Sequence, residues 1–443
     1  MAEREQIFEV GRELLQGLDA ARSGPLKALD RRGMDLATED AELRAALLRF
    51  VDVAPACRSV DDLASHLLSY LDELHQRPVS LDVAIRMGSS RAGRAALGSA
   101  ALAGVRHVAH RFIVGETAHD AAKVLRGLWG EGAASSVDLL GEATVTAAEA
   151  DRYAARCAET LGTLAQLYGA LPAQPTLERD GAGPIPRANL SVKVSALTPL
   201  LRAEAPELGE RDAAPRLREL LRLARRLDAH LHVDMESYDS REAVADLVLS
   251  LLSEPEFADG PSVGLVVQAY LRDSPELCER VIAWAQSSGR VPPLVVRLVK
   301  GAYWDHEVVD ARQHGWQPPV FEHKRESDRN FELLTRRLLQ ARPHVRPAIA
   351  SHNLRSVAYA IVANRELGGA ERDVEFQVLR GLGDELGQAL AAAGLRVRVY
   401  CPVGDLVAGM AYLVRRLLEN TANESFLAEQ ARGLPLEQLL AAP

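Results

Sequence analysis

Eight short runs of apolar and β-branched residues, each followed by an amphipathic stretch long enough for a helix, fill the chain from about residue 135 onward. The runs fall at 137–140, 190–194, 231–234, 263–268, 294–300, 346–350, 374–378 and 397–400. Runs of this kind suit parallel strands buried on both faces, because helical crossovers cover each face of a parallel sheet. Eight β/α units within roughly 300 residues is the count at which such a sheet closes on itself. The expected fold is therefore α/β, a (β/α)8 TIM-type barrel. An open doubly wound sheet is the alternative, and the regular count of eight favours closure.

The barrel is expected over residues 131–443. Ahead of it, residues 1–130 read as an α-helical region. Stretches 7–18, 40–51 and 60–74 carry apolar residues at three- and four-residue intervals with charges between them. Gly24-Pro25, Pro55, Gln76-Arg77-Pro78, Gly88-Ser89-Ser90 and Gly115-Glu116-Thr117 punctuate it. This region names no chemistry; its expected job is packing, on the barrel or on another subunit.

Composition excludes several function classes. With 52 basic and 61 acidic residues, a net charge of −9 and 5% aromatics, the chain has neither a basic nucleic-acid footprint nor a stacking platform for single strands. No window approaches the ~20 unbroken apolar residues of a membrane span. The first residues lack a basic segment followed by an apolar core. Cys57, Cys157, Cys278 and Cys401 are scattered without C-x-x-C spacing. A cytoplasmic protein with reduced thiols is expected.

In a (β/α)8 barrel the chemistry collects at the C-terminal ends of the strands. Those positions carry Glu142, Lys193, Asp234, Gln268, Arg297 with Lys300, Ser351-His352-Asn353, Gln377 and Tyr400. One polar strand end is unremarkable; eight in succession point to an enzyme. Lysine is scarce here, only Lys27, Lys123, Lys193, Lys300 and Lys324. A lysine closing an apolar run therefore stands out from generic surface charge. Near the C-terminus, Tyr412, Arg415, Arg416, Glu419 and Asn423 share one face of a helical pattern. Paired guanidiniums suit bidentate capture of a carboxylate or phosphate, while a solvated Arg415–Glu419 pair is the plainer reading. No metal site is expected: His230 and His232 flank Asp234 at two-residue spacing but read as packed or partnered side chains. The glycines from Gly381 to Gly387 miss the dinucleotide fingerprint by one residue.

Taken together, several segments resemble proline dehydrogenase, specifically the flavin barrel of bacterial proline utilization A proteins. They include Leu190-Ser-Val-Lys-Val-Ser-Ala-Leu197, Val233-Asp-Met-Glu236, Val267-Gln-Ala-Tyr270 and Arg297-Leu-Val-Lys-Gly-Ala-Tyr-Trp-Asp305. Ser351-His-Asn353, Glu375-Phe-Gln-Val-Leu379, Tyr400-Cys-Pro-Val-Gly404 and the run from Ala411 to Asn420 continue the match, in order, over roughly residues 100 to 430.

The resemblance implies non-covalent FAD and oxidation of L-proline to Δ1-pyrroline-5-carboxylate, with hydride passing to flavin N5 and electrons passing on to a quinone. By the same resemblance Lys193, Arg415 and Arg416 grip the substrate carboxylate, and Leu379, Tyr400 and Tyr412 wall the proline ring. Tyr400 would crowd a ring hydroxyl and so disfavour hydroxyproline. Asp234 is the active-site carboxylate, with an orienting role, and Arg297 is the cation near flavin N5. FAD contacts are implied at Met235, Gln268, Arg297, Val299, Lys300, Gly301, Ala302, Trp304, Lys324, Ser351, His352, Asn353 and Gln377. Ser351 stands where the family often has threonine, and Arg380-Gly-Leu-Gly383 where His-Gly-Met-Gly is common. A dehydrogenase for pyrroline-5-carboxylate or glutamate semialdehyde is the implied partner, in cis or in trans. Peripheral contact with the inner face of a membrane is implied by the quinone. A class I aldolase using Lys193 or Lys300 as a Schiff-base nucleophile is the competing reading.

Overall fold

The computed structural model describes residues 3–22, 41–75, 90–141, 144–405, 409 and 434–443. Eight parallel strands close into a barrel in chain order: β1 (Ala133–Leu139), β2 (Asn189–Lys193), β3 (His230–Asp234), β4 (Ser262–Gln268), β5 (Leu294–Val299), β6 (Val345–Ala350), β7 (Glu375–Leu379) and β8 (Arg396–Val403). Closure is made by β1 against β8, in register from Ala133↔Val397 to Leu139↔Val403. The expected strands are all present and buried on both faces.

Four strands are not uniformly apolar, however. Asn-Leu-Ser-Val-Lys, His-Leu-His-Val-Asp, Glu-Phe-Gln-Val-Leu and Arg-Val-Arg-Val-Tyr alternate polar with apolar residues, Leu379 being the exception. Successive side chains of a strand point to opposite faces. Leu190, Val192, Leu231, Val233, Phe376, Val378, Val397 and Val399 join the apolar core. The polar set fills the lumen, where its members pair with one another.

The helices lie outside the barrel, and most of those after residue 117 bury an apolar stripe against that core. In order they are α1 (Glu3–Arg22), α2 (Ala41–Val53), α3 (Val60–Asp72), α4 (Arg91–Phe112), α5 (Ala118–Gly130), α6 (Ala147–Gly169), α7 (Pro206–Arg226), α8 (Arg241–Leu252), α9 (Ser274–Ser287), α10 (Trp304–His314), α11 (Lys324–Gln340), α12 (Leu354–Glu366) and α13 (Asp384–Ala392). Thr117 and Thr146 open α5 and α6 with reciprocal capping boxes to Asp120 and Glu149. The connection after β5 contains α10, closed by Gly315 in the left-handed region at φ 70°. Its polar sequence buries little beyond Glu307, Val308 and Ala311, so hydrophobic periodicity does not announce it.

In the N-terminal region, α1 packs on α12 and α13, and Ile7, Val10, Leu14 and Leu18 belong to the barrel's own core. Helices α2, α3 and α4 instead make small clusters around Ala46, Leu71 and Leu74 and around Phe50, Leu63 and Val105. The chain then clips onto the end of β8: Val114 N–H donates to Pro402 O at 2.9 Å, and Gly404 N–H to Gly115 O at 2.9 Å.

A two-stranded antiparallel ribbon, Arg179–Asp180 with Gly183–Pro184, sits at the N-terminal end of the barrel. Its Asp180 accepts from Arg346 Nε at 3.0 Å and from Arg396 Nη1 at 3.0 Å, both at the starts of their strands. The ribbon thus pins the floor beneath the lumen. Among the described residues no helix is long and apolar enough to cross a membrane.

Candidate active site

The opposite, C-terminal mouth carries the reactive groups. Arg297 enters the lumen from the middle of β5 rather than from its end, and it is 4% exposed. Its guanidinium donates from Nε to Gln377 Oε1 at 2.7 Å and from Nη1 to Asp234 Oδ1 at 2.6 Å. Ser136 and Ser191 hydroxyls lie 3.3 Å from Nη2. The fork is held from four strands, which fixes its plane.

Asp234 ends β3 and has both oxygens engaged, Oδ1 by Arg297 and Oδ2 by the Tyr400 hydroxyl at 2.7 Å. The Tyr400 ring also lies 5.3 Å from the Arg297 guanidinium carbon. Burial, together with the negative charges of Asp138 and Asp234, pushes the phenol well above its ordinary range. Tyr400 therefore stays protonated and serves as a hydrogen-bond donor.

Lys193, the register partner of Asp234, is ion-paired with Asp138 of β1. Asp138 is 2% exposed and is not among the residues expected from the sequence, which places the polar end of that strand at Glu142, outside the described residues. The signal was an acidic residue inside an otherwise Val/Leu run. Below this layer, Gln377 Nε2 donates to Glu375 Oε1 at 2.7 Å, and Arg398 grips Glu375 in a fork at 2.9 and 3.0 Å. Burial alone would raise the Glu375 carboxyl; Arg398 and Arg396 override it and hold the group at about 2.

The rim around the mouth holds a second group. Lys300 follows β5, and Lys324 is the first residue of α11. Both ammoniums bind one carboxylate, Asp328, the Lys324 contact being 3.0 Å. Two cations sharing one anion leave this three-residue cluster net positive. Burial pulls Lys300 below its ordinary value, Asp328 opposing. Gly301 has φ 138°, and a Cβ there would overlap the Tyr270 ring. Gln268 donates from Nε2 to Glu236 O at 3.0 Å, while its buried Oε1 has no hydrogen-bond partner among the described residues.

On the far side of the rim, His352 Nε2 accepts from Leu379 N–H at 2.9 Å. Asn353 caps α12 by accepting from Ser356 N–H at 3.0 Å, and Ser351 Oγ accepts from Asn353 N–H at 3.1 Å. Met235 is buried at the end of β3, Val299 is half-buried, and Gly301 and Ala302 are exposed. Trp304 is 39% exposed and donates from its ring nitrogen to Phe321 O at 2.9 Å. Tyr412, Arg415 and Arg416 lie outside the described residues. His230 and His232, lower in the lumen, bond to each other at 3.2 Å, and His230 also bonds Ser262 Oγ at 2.9 Å.

Fold and site together define a (β/α)8 barrel of the enzyme type, with an ionic constellation where barrel enzymes carry their chemistry. A family model described as proline dehydrogenase matches residues 121–429, and one described as the proline utilization A N-terminal domain matches residues 4–112. The chain belongs to the proline dehydrogenase family. It is 34% identical over 351 residues to the bifunctional protein PutA of Escherichia coli, covering 76% of this chain and 25% of that one. Proline dehydrogenase 1 of Bacillus subtilis is 27% identical over 326 residues, 73% of this chain and 90% of the relative. The solved structure of proline utilization A from Bdellovibrio bacteriovorus, inactivated by N-propargylglycine, superposes with a TM-score of 0.89 at 34% identity, over 99% of this chain and 44% of that one. The chain thus spans about a quarter of the length of the bifunctional relatives it matches.

Proposed function

We propose that this chain oxidises L-proline to Δ1-pyrroline-5-carboxylate with non-covalently bound FAD, and that the electrons go on to a quinone. The observation carrying this reading is the bonded set Arg297–Asp234–Tyr400–Gln377 beside Lys193, at the mouth of a barrel of the proline dehydrogenase family. When bound, FAD supplies the two-electron acceptor.

The residues fit that cofactor. The net-positive Lys300–Asp328–Lys324 cluster suits a diphosphate, the unpartnered Gln268 Oε1 suits an imide N–H, and Gly301 lets backbone approach closely. Met235, Val299, Ala302, Trp304, Ser351, His352, Asn353 and Gln377 complete the proposed contacts. Arg297 supplies fixed positive charge where negative charge develops on reduction.

Lys193, with Arg415 and Arg416, anchors the substrate carboxylate, and Leu379, Tyr400 and Tyr412 wall the ring. Holding the anionic end fixes the reacting carbon for transfer. Asp234 has both oxygens occupied, which supports an orienting role; the amine proton is lost to solvent. Lys193, ion-paired with a buried carboxylate, is a poor Schiff-base nucleophile, and this weighs against an aldolase.

A division into an N-terminal helical arm (1–130) and a barrel (131–443) belongs to the same reading. The start of β1 at Ala133 supports it, although α1 packs into the barrel's core. The product would pass to a pyrroline-5-carboxylate or glutamate-semialdehyde dehydrogenase, in cis or in trans, and a quinone acceptor implies peripheral contact with the membrane's inner face. The test is an absorption spectrum of the purified chain followed by anaerobic titration with L-proline. A flavin spectrum that bleaches supports the proposal; a flavin spectrum indifferent to proline removes the substrate, and a colourless protein that takes up no added FAD removes the cofactor.

A further inference from the structure

The lumen is charged at its floor as well as at its mouth, and the floor does not balance. Among the described residues there, Arg346, Arg396 and Arg398 supply three positive charges, while Asp180 and Glu375 supply two negative ones. Arg398 and Glu375 satisfy each other in a fork, and Asp180 is shared between Arg346 and Arg396. One guanidinium charge is left over. His230 does not compensate, being a base and buried in its neutral form.

The excess has an address. Nη1 of Arg346 and Nε of Arg396 are buried donors without a hydrogen-bond acceptor among the described residues. Their side chains are 3% exposed or less. Glu375 Oε2 lies 3.9 Å from Arg396 Nε, beyond hydrogen-bond reach. Both arginines line a cavity of about 20 Å³ between the strands, together with Asn189, His230, Ser262 and Glu375. That volume admits a particle of about the size of a water molecule. Burial pulls Arg346 below its ordinary value despite the Asp180 contact, as expected of a guanidinium whose charge is incompletely matched. A water molecule could satisfy the two N–H groups but would not neutralise the surplus charge, and a buried charge without a counter-ion is costly.

We propose that this cavity is a site for a monatomic anion, chloride under ordinary conditions, bound between Nη1 of Arg346 and Nε of Arg396 at the floor of the barrel. The ion completes the charge balance of the lumen at the end opposite the proposed catalytic mouth. It does not depend on the reading of that mouth.

The test uses the full chain purified and crystallised in sodium bromide, with diffraction recorded at the bromine edge. The expected result is an anomalous peak in contact with both nitrogens. Water-like density there without an anomalous signal, or bromide confined to the surface, overturns the proposal. A companion measurement compares thermal melting in sodium chloride and sodium gluconate at equal ionic strength. A ligand bound only by the folded state raises the melting point, here by roughly 2 °C. Identical melting in the two salts counts against the site. A halide-dependent melt without the crystallographic peak assigns the ion elsewhere and likewise overturns it.

Discussion

Tyr400 donates its hydroxyl hydrogen to Oδ2 of Asp234 at 2.7 Å, across the lumen from β8 to β3. Because Arg297 holds Oδ1, the carboxylate is clamped between a neutral donor and a cation. The three side chains are bonded into one unit, so removing any of them frees a hydrogen-bonding position on its neighbours.

Replacing Tyr400 with phenylalanine tests this relationship. A lost hydrogen bond to a charged group costs about 1.5–3 kcal/mol, so kcat/KM for L-proline should fall roughly ten- to a hundredfold. Flavin content should be unchanged, and turnover of hydroxyproline relative to proline should rise as the crowding hydroxyl is removed. Steady-state kinetics with both substrates checks it; an unaltered ratio would contradict the steric role.

The Asp138–Lys193 pair is a second target. Asp138→Leu removes a carboxylate partner of a buried ammonium and should destabilise the fold by about 3–5 kcal/mol. Adding Lys193→Met should recover most of that loss while abolishing tight proline binding. Urea unfolding of both single variants and the double variant gives the cycle. Additive losses would show that the pair is not coupled.

Stability should decline on the acid side earlier than carboxylates alone would cause. Burial, aided by nearby guanidiniums, holds His230 and His232 well below their usual value. Their unfolded forms protonate near about pH 6.5 and the folded forms do not. The unfolded state then binds more protons, so stability falls as pH drops below that point, by up to about 2.7 kcal/mol per pH unit. Glu375, at about 2 when folded, adds a loss of the same sign below its unfolded value near 4.5. Urea midpoints measured across this range should slope throughout, and a plateau between 6.5 and 4.5 would refute the neutral-histidine assignment.

Gly301→Ala should lower flavin content sharply, because an L side chain is strained at φ 138° and its Cβ would overlap the Tyr270 ring. The barrel's far-ultraviolet dichroism should persist. Full flavin occupancy in the variant would remove Gly301 from the proposed cofactor contacts.

The barrel was legible because its strands carry apolar residues on the helix-facing side whatever lines the lumen. Lys193, Asp234, Arg297, Gln377 and Tyr400 could be picked out because they are polar groups at or near the C-terminal ends of those runs. Asp138 lies inside β1 rather than at its end, where the strand-end rule does not point. Asp328 sits on a helix, where an acid four residues after Lys324 reads as an ordinary surface pair. Helix α10 has too few apolar residues to show a period, and the floor ribbon is two residues per strand, below what alternation can register. That Lys300 and Lys324 meet over one carboxylate is a tertiary fact with no local signature.

The ribbon that Asp180 staples to Arg346 and Arg396 has a consequence for traffic. A stoppered floor leaves the rim of strand C-termini as the doorway for substrate and product alike. Under the proposed function, an enzyme taking over the product would wait at the same threshold where proline arrives, so arrival and handover there would compete for one opening.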